Sequence, residues 1–395
     1  SHTFAYYPGT NGQFPLEDIA SFPLPSLPLF QPGSGARNSM QQDHEAYAVF
    51  GQADYDLTDK LRVTAGLRYT REEKELDGVF TQGRAPDYTD DIIALPIVLE
   101  QFYALAPQDP VDESLSDDRV TGTLKLTWFV DYDTMLYASY STGYKAGGTN
   151  TERINPQLDY VFDPETSEAL EIGLKADFPE QALRLNAALH RTVIEDLQVN
   201  SVSEYGPVLQ NVGRVDTWGG EVEVTWSPTD ALTITAAYAN TLGEVENWQN
   251  DICWVAARFH TGQPDPGDPT NGENTAGCDR SGDDLAFNPD QLVITANQRF
   301  DVSEGIDGFL RVEYSYLGEA EVRGDPFLRI PPSTLVHARL GFRFEDYGTD
   351  VTLWGRNILD EEHRMAGFDA IGEEGRVVAT PLEPATWGIT LRKDF

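Results

Sequence analysis

The stretch VHARLGFRFEDYGTDVTLWGR, Val336 to Arg356, decides the fold, because its apolar side chains fall on every second residue on both sides of a short turn. One face of its first strand carries Val336, Ala338, Leu340, Phe342 and Phe344. A period of two residues is the period of a β-strand. The closing residues, Trp387 to Phe395, repeat the pattern. The C-terminal end therefore predicts three antiparallel strands.

The other face of these strands is charged, which is the reverse of what a soluble sheet requires. His337, Arg339 and Arg343 would need partners inside a globular core. In an outer-membrane barrel, lipid covers the apolar face and the lumen takes the polar face. The sequence therefore predicts an all-β fold, a transmembrane antiparallel up-and-down β-barrel.

The same unit of long loop, strand, short turn and strand recurs along the chain, most clearly from Leu61 to Thr70. Counting gives about thirteen strands, and roughly 9 to 11 residues suffice for a tilted strand to cross the membrane. Short turns at one end and long loops at the other are typical of outer-membrane barrels. An odd count places Ser1 outside and Phe395 in the periplasm.

Bacterial single-chain barrels have even strand numbers, and an open sheet edge in lipid leaves costly unpaired backbone groups. We therefore expect this chain to be the C-terminal portion of a larger barrel. We divide it into residues 1–43, an extracellular loop between strands, and residues 44–395, the barrel portion. Within the latter, we expect residues 246–286 to form an extracellular loop closed by a disulfide between Cys253 and Cys278, since paired cysteines of this kind indicate an oxidising compartment; paired reduced thiols are the alternative.

Composition excludes several classes of protein. The 395 residues carry a formal net charge of −37, which argues against a nucleic-acid partner. No unbroken apolar run is long enough for a transmembrane helix. No nucleophile elbow, P-loop or paired-cysteine metal signature is present, so we expect no enzyme, no catalytic residue, no bound metal and no cofactor.

Four motifs, in this order along the chain, resemble those of TonB-dependent outer-membrane receptors. They are LYASYSTGYKAGG (Leu136–Gly148), Pro164-Glu165-Thr166, GGEVE (Gly219–Glu223) followed by Trp-Ser-Pro, and RNILD (Arg356–Asp360). The chain also ends on a strand with Trp387 and Phe395, which match the family's assembly signal, although Lys393 departs from it. The resemblance implies a barrel of about 22 strands around an N-terminal plug. This chain would supply the last thirteen or so, without the plug, the TonB-box and the first nine strands.

The resemblance also implies a function. We expect active uptake of a scarce nutrient across the bacterial outer membrane, with a ferric siderophore or other iron complex as the first expectation. Cobalamin, a saccharide or another nutrient, and a passive porin-like channel, are the alternatives. The implied partners are TonB with its inner-membrane energising complex, acting through the plug, outer-membrane lipids and an extracellular small-molecule ligand.

Two sets of residues are candidates for function. Aromatic and cationic loop residues near the mouth are the candidate ligand contacts: Tyr144, Lys145, Arg153, Trp248, Trp254, His260, Arg323 and Arg364. A row of inward cations is expected to hydrogen-bond the plug: Arg62, Arg68, Arg184, His190, Arg299, Arg311, Arg339 and Arg343.

Overall fold

The structure, a computed structural model, describes residues 2–6, 34–84, 108–152, 154, 158–203, 206–248, 281–285, 289–322, 325–362, 364–369 and 377–394. Short 3-10 turns, such as Pro179–Gln181 and Glu345–Tyr347, are the helical elements we describe. In the described part of the chain, no helix has the length and apolar character needed to span a membrane. The strands in these ranges are β1 (His2–Tyr6), β2 (Ser34–Thr58), β3 (Leu61–Arg84), β4 (Val111–Phe129), β5 (Thr134–Lys145), β6 (Gly148–Thr149), β7 (Val161–Phe162), β8 (Glu165–Phe178), β9 (Leu183–Ser203), β10 (Gly206–Thr229), β11 (Leu232–Val245), β12 (Asp290–Ser303), β13 (Ile306–Leu317), β14 (Ala320–Val322), β15 (Asp325–Ile330), β16 (Ser333–Phe344), β17 (Thr349–Arg356), β18 (Arg364–Asp369), β19 (Val377–Pro381) and β20 (Thr386–Lys393).

Fourteen of these strands form one antiparallel sheet in which each strand pairs with its neighbours along the chain. The order is β1-β2-β3-β4-β5-β8-β9-β10-β11-β12-β13-β16-β17-β20. The other six strands form three two-stranded hairpins, β6–β7, β14–β15 and β18–β19, which lie on the long connections. Tight turns join the strands at one end of the sheet, and all the long connections lie at the other end, which we call the outer mouth; β9 and β10 are joined at this end by residues 204–205 alone. The predicted up-and-down architecture is confirmed.

The two faces of the sheet differ as the sequence predicts. Leu340 lies opposite Leu353, and Leu353 lies opposite Ile389, so one apolar row crosses three strands. The row is open on its outer side, since Leu353 is 44% exposed and Ile389 is 71% exposed. Such a surface is unfavourable in water by about 25 cal/mol per Å² but not next to hydrocarbon. We call this apolar face outward and the opposite, polar face inward.

The strands extend further toward the outer mouth than the sequence predicts. Residues 1–43 were expected to be loop, yet they contain β1 and the beginning of β2, and β1 pairs with Ala36–Met40. β2 starts at Ser34 rather than Tyr47, and β3 continues to Arg84 rather than ending near Glu75. In these outer-mouth parts of the strands polar residues occupy both faces, so the sequence shows no alternation of apolar and polar residues that would predict a strand. Hydrogen bonding between the strands maintains these extensions.

Candidate functional site at the outer mouth

A segment between β5 and β8 folds back against the inward side of the wall at the outer mouth. We call residues 146–164 the tucked segment; 153 and 155–157 lie outside the described residues. Its backbone is closed by the β6–β7 pair and by a bond from Asn150 N to Tyr160 O of 2.7 Å. Gly147, Gly148, Thr149 and Asn150 are all buried. The segment is therefore a packed part of the fold.

One edge of the tucked segment is held by the β2–β3 hairpin. Leu67 and Tyr69 of β3 point outward, so Lys74, an odd number of residues further along the same strand, points inward. Gln42 of β2 lies opposite Leu76 of β3 and also points inward. Lys74 Nζ donates a hydrogen bond to the carbonyl of Gly147, and Gln42 Nε2 donates to Thr149 Oγ1 at 3.1 Å. Lys74 is in turn 3.7 Å from Glu72, which also contacts His44 at 3.0 Å.

The other edge is held by the β9–β10 hairpin through two buried amide side chains. Asn150 accepts a hydrogen bond from Leu209 N at 2.8 Å and donates to Leu209 O at 3.0 Å, so it pairs with β10 as another strand would. Gln198 Nε2 donates to the carbonyls of Ala146 at 2.9 Å and Asp163 at 3.0 Å. Each amide thus replaces backbone partners that the loop lacks.

Buried apolar side chains concentrate at the outer mouth, near the tucked segment. Among the described residues, most of the buried apolar side chains larger than alanine belong to the tucked segment or to the outer-mouth ends of β2, β3 and β10: Met40, Leu76, Ile154, Val208, Val212 and Val215. A side chain on Gly147 would meet the Phe162 carbonyl and Leu115, so only glycine allows this close approach. In the described ranges, the membrane-spanning wall is one layer thick, and the buried apolar side chains gather at the outer mouth.

The structure describes some of the predicted ligand contacts. The Tyr144 hydroxyl is buried and directed at Asp117 without a hydrogen bond of good geometry, while Lys145 is exposed at the end of β5. Trp248 is half-buried, and its backbone N–H donates to Ser281 Oγ at 3.0 Å. Arg153, Trp254, His260 and Arg323 lie outside the described residues, as do Cys253, Cys278 and Phe395. Arg364 begins β18, and its side chain also lies outside them. The ligand contacts and the disulfide stay predictions.

The residues that hold the mouth together were not among the predicted ones. Asn150 lies two residues after the Gly147-Gly148 pair of the resemblance motif, but Gln198 and Asn211 lie in β9 and β10, far along the chain. Asn211 accepts from Asp163 N at 2.7 Å and donates to Asp163 O and Asp196 O, both at 2.8 Å. Within the described residues, no group of three or more His, Cys, Asp and Glu could hold a metal ion.

An antiparallel up-and-down sheet with an apolar outward face and a polar inward face defines the wall of an outer-membrane β-barrel. The family model "TonB dependent receptor-like, beta-barrel" matches residues 3–358. The chain therefore belongs to the TonB-dependent receptor family. The family is one of receptors, which agrees with the prediction that the chain is not an enzyme, and its barrels lie in the bacterial outer membrane.

Similar proteins include a probable TonB-dependent siderophore receptor, PiuA, of Acinetobacter baumannii, which is 27% identical over 210 residues, 51% of this chain and 24% of the relative. The crystal structure of the ferric yersiniabactin uptake receptor FyuA from Yersinia pestis has a TM-score of 0.69 at 19% identity, over 92% of this chain and 48% of that one. The structure of the copper transporter OprC has a TM-score of 0.57 at 14% identity, over 91% of this chain and 48% of that one. The chain thus spans about half the length of the solved receptors that it matches.

Replacing Asn150 with aspartate is expected to release the tucked segment while leaving the barrel wall folded. The carboxylate cannot donate, so it would face the carbonyls of Leu209 and Tyr160 without hydrogen bonds, at a cost of about 1–3 kcal/mol. Hydrogen exchange of residues 146–164 would accelerate, whereas the denaturation midpoint of the receptor would change little. Gln42→Glu makes the same amide-to-carboxylate change at an exposed position on the other edge, so water can solvate the new carboxylate and exchange should accelerate less. Equal protection in wild type and Asn150→Asp would contradict the assignment.

Proposed function

We propose that residues 1–395 are part of a receptor that carries a ferric siderophore or another iron complex across the bacterial outer membrane, with energy supplied through TonB. The observation that carries this proposal is that a curated relative and a solved relative are both named as receptors for siderophores or ferric siderophores, on a chain that belongs to the family. The ligand would enter at the outer mouth, where the tucked segment narrows the opening on the inward side.

The geometry supports transport because the inward face offers polar side chains along its whole height. Arg311, Arg339 and Arg356 lie on this face, and Lys145 is exposed near its outer end. A ferric complex with an anionic ligand would be attracted by such groups. The likeness to a copper transporter is one of fold, so the fold leaves the cargo open and the experiment has to compare cargoes.

The test uses the full-length receptor gene in its own host. Deleting it is expected to stop uptake of a radiolabelled ferric siderophore under iron limitation, and a protonophore is expected to stop it in the wild type, because uptake needs the proton gradient. Uptake that a protonophore does not affect would identify a passive channel instead. Loss of cobalamin, saccharide or copper uptake, with iron uptake intact, would overturn the proposed cargo.

A substitution at Lys145 refines the same experiment. Lys145→Gln is expected to raise the ligand concentration needed for half-maximal uptake, since it removes an exposed cation at the mouth. Lys393→Gln removes another exposed cation, at the opposite end of the wall and on its outward side, and is the control. An unchanged concentration dependence in Lys145→Gln would remove this residue from the ligand site.

A further inference from the structure

The pairing between β4 and β5 stops well before either strand ends. The last pair toward the outer mouth is Thr123 opposite Ser141. β4 then continues to Val111 paired with β3, and β5 continues to Lys145 paired with β8. Within the described ranges, no strand pairs with the β5-facing edge of residues 111–122. We call this opening between β4 and β5 the seam.

The inner end of the seam lies within the apolar surface of the wall. Val120, on β4 at the edge of the seam, is exposed on the outward face, and so is Leu170, on β8 next to β5. Gly122 N donates to Thr142 Oγ1 at 2.9 Å, so a side-chain bond replaces the strand ladder at this point. Unpaired backbone groups are costly next to hydrocarbon. The seam therefore needs a cover at the height of the outer leaflet.

The chain that follows β5 covers the seam from the inward side. Tyr144, near the end of β5, places its buried hydroxyl beside Asp117 of β4. Asp117 lies opposite Glu72, so it is an inward residue. Three residues later, a side chain added at Gly147 would come within 2.9 Å of Leu115 of β4. The tyrosine and the start of the tucked segment thus lie against the unpaired edge of β4.

The tucked segment also joins the two parts of the wall that the seam separates. On the β3 side it accepts the hydrogen bond from Lys74, and on the β10 side Asn150 pairs with Leu209. Gln198 of β9 adds its two bonds to backbone carbonyls. These contacts depend on single side chains, whereas a strand ladder would use consecutive backbone groups. The cover can therefore be released without unfolding a strand.

A groove on the outward face leads to the inner end of the seam. Its volume is about 530 Å³, within the roughly 300–1,000 Å³ of sites for small ligands. Leu124 and Tyr140 line it and lie opposite each other, one pair away from Thr123 and Ser141. Its other apolar lining residues are Leu126, Ala138, Leu170, Ile172 and Leu189.

We propose that the seam is a lateral portal through which the alkyl chain of an amphiphile passes from this groove into the lumen when the tucked segment is released. The groove offers apolar side chains to the alkyl chain. Arg191 lines the groove, and its side chain is more than half exposed, so it can donate to a polar head group. The guanidinium pairs with Asp216 through Nε and Nη2, which holds it in place. This portal goes beyond the proposed uptake of iron, because it concerns a route through the wall.

The test is photolabelling of the full-length receptor in lipid vesicles that contain a phosphatidylcholine with a diazirine on one acyl chain. The head group anchors this probe in the bilayer, so its chain reaches the lumen only through the wall. Asn150→Asp should raise labelling of Asp117 at least about fivefold, the lower end of what one lost buried hydrogen bond gives. Labelling of outward Val120 should be equal in both receptors.

A second variant, a control variant and a reference site accompany this measurement. Gln198→Glu loses its donors to two carbonyls of the tucked segment and should act like Asn150→Asp. Asn297→Asp makes an amide-to-carboxylate change on the inward face away from the seam, and labelling of Asp117 should stay within about twofold of wild type. Glu313 is an inward carboxylate where β13 and β16 are fully paired, so it should not be labelled. Heat-modifiable electrophoretic mobility shows that each barrel is folded.

Three outcomes would overturn the proposal. Asp117 could remain unlabelled in the wild type and in both folded releasing variants, or Asn297→Asp could give the same increase. Labelling of Glu313 that rises together with labelling of Asp117 would mean that the chain enters by another route. The measurement contains no cargo, so a failure of the portal and a failure of the proposed iron uptake are separate results.

Discussion

Leu124→Arg is expected to lower the stability of the barrel by about 2–4 kcal/mol, the cost of an arginine on the lipid-facing side near the middle of the membrane. Leu124 belongs to β4, is 56% exposed on the outward face and lies opposite Tyr140 and Ala65. The measurement is the free energy of unfolding in urea for the full-length receptor refolded into lipid vesicles.

The neighbouring residue provides the control. Thr123 lies on the inward face opposite Ser141 and Gly66, so Thr123→Arg places the same charge at the same height toward water. Its effect on the free energy of unfolding should be within about 0.5 kcal/mol, as for substitutions away from buried features. Similar losses for the two variants would mean that the outward face is not in contact with lipid.

Gly219→Val is expected to destabilise the wall between β10 and β11 by about 3 kcal/mol, the upper end of the cost of overpacking. A side chain at Gly219 would overlap with the backbone carbonyl of Asn240 on β11 and come within 3.0 Å of His190. A backbone obstacle cannot rotate away, so the strands would have to separate. The fraction of heat-modifiable receptor in the outer membrane measures the effect.

Gly51→Val is the matched substitution. Gly51 also lies in a long strand of the wall, but a side chain there would meet no atom within 4 Å. The receptor with this change should assemble in normal amounts. A defect as large as that of Gly219→Val would show that valine is harmful wherever it replaces a strand glycine, irrespective of the Asn240 contact.

The membrane-spanning part of the fold could be predicted because lipid and lumen impose opposite demands on alternate residues. Every one of the thirteen predicted strands is present in the sheet. The upper part of β2 was missed because Gln41, Gln42 and Asp43 rise beyond the apolar band, where both faces tolerate polar side chains. β1 was missed because it is defined by its pairing with Ala36–Met40 rather than by a pattern in its own residues.

The candidate site was harder to predict than the wall. Tyr144 and Lys145 were proposed as ligand contacts from their place in a motif, but the sequence could not reveal that the Tyr144 hydroxyl is buried. Asn150 and Gln198 hold the mouth by hydrogen bonds to backbone groups, and backbone partners leave no trace in residue types. Only three-dimensional proximity identifies them.

The burial of Gly147 to Asn150 also determines where a fluorescent label or a short tag can be inserted. An insertion there would break the bonds from Lys74 and Gln42 and disturb the core beneath. Tyr132, in the tight turn between β4 and β5, is fully exposed. A label in that turn would leave the described contacts of the mouth intact and could report on the inner side of the membrane during transport.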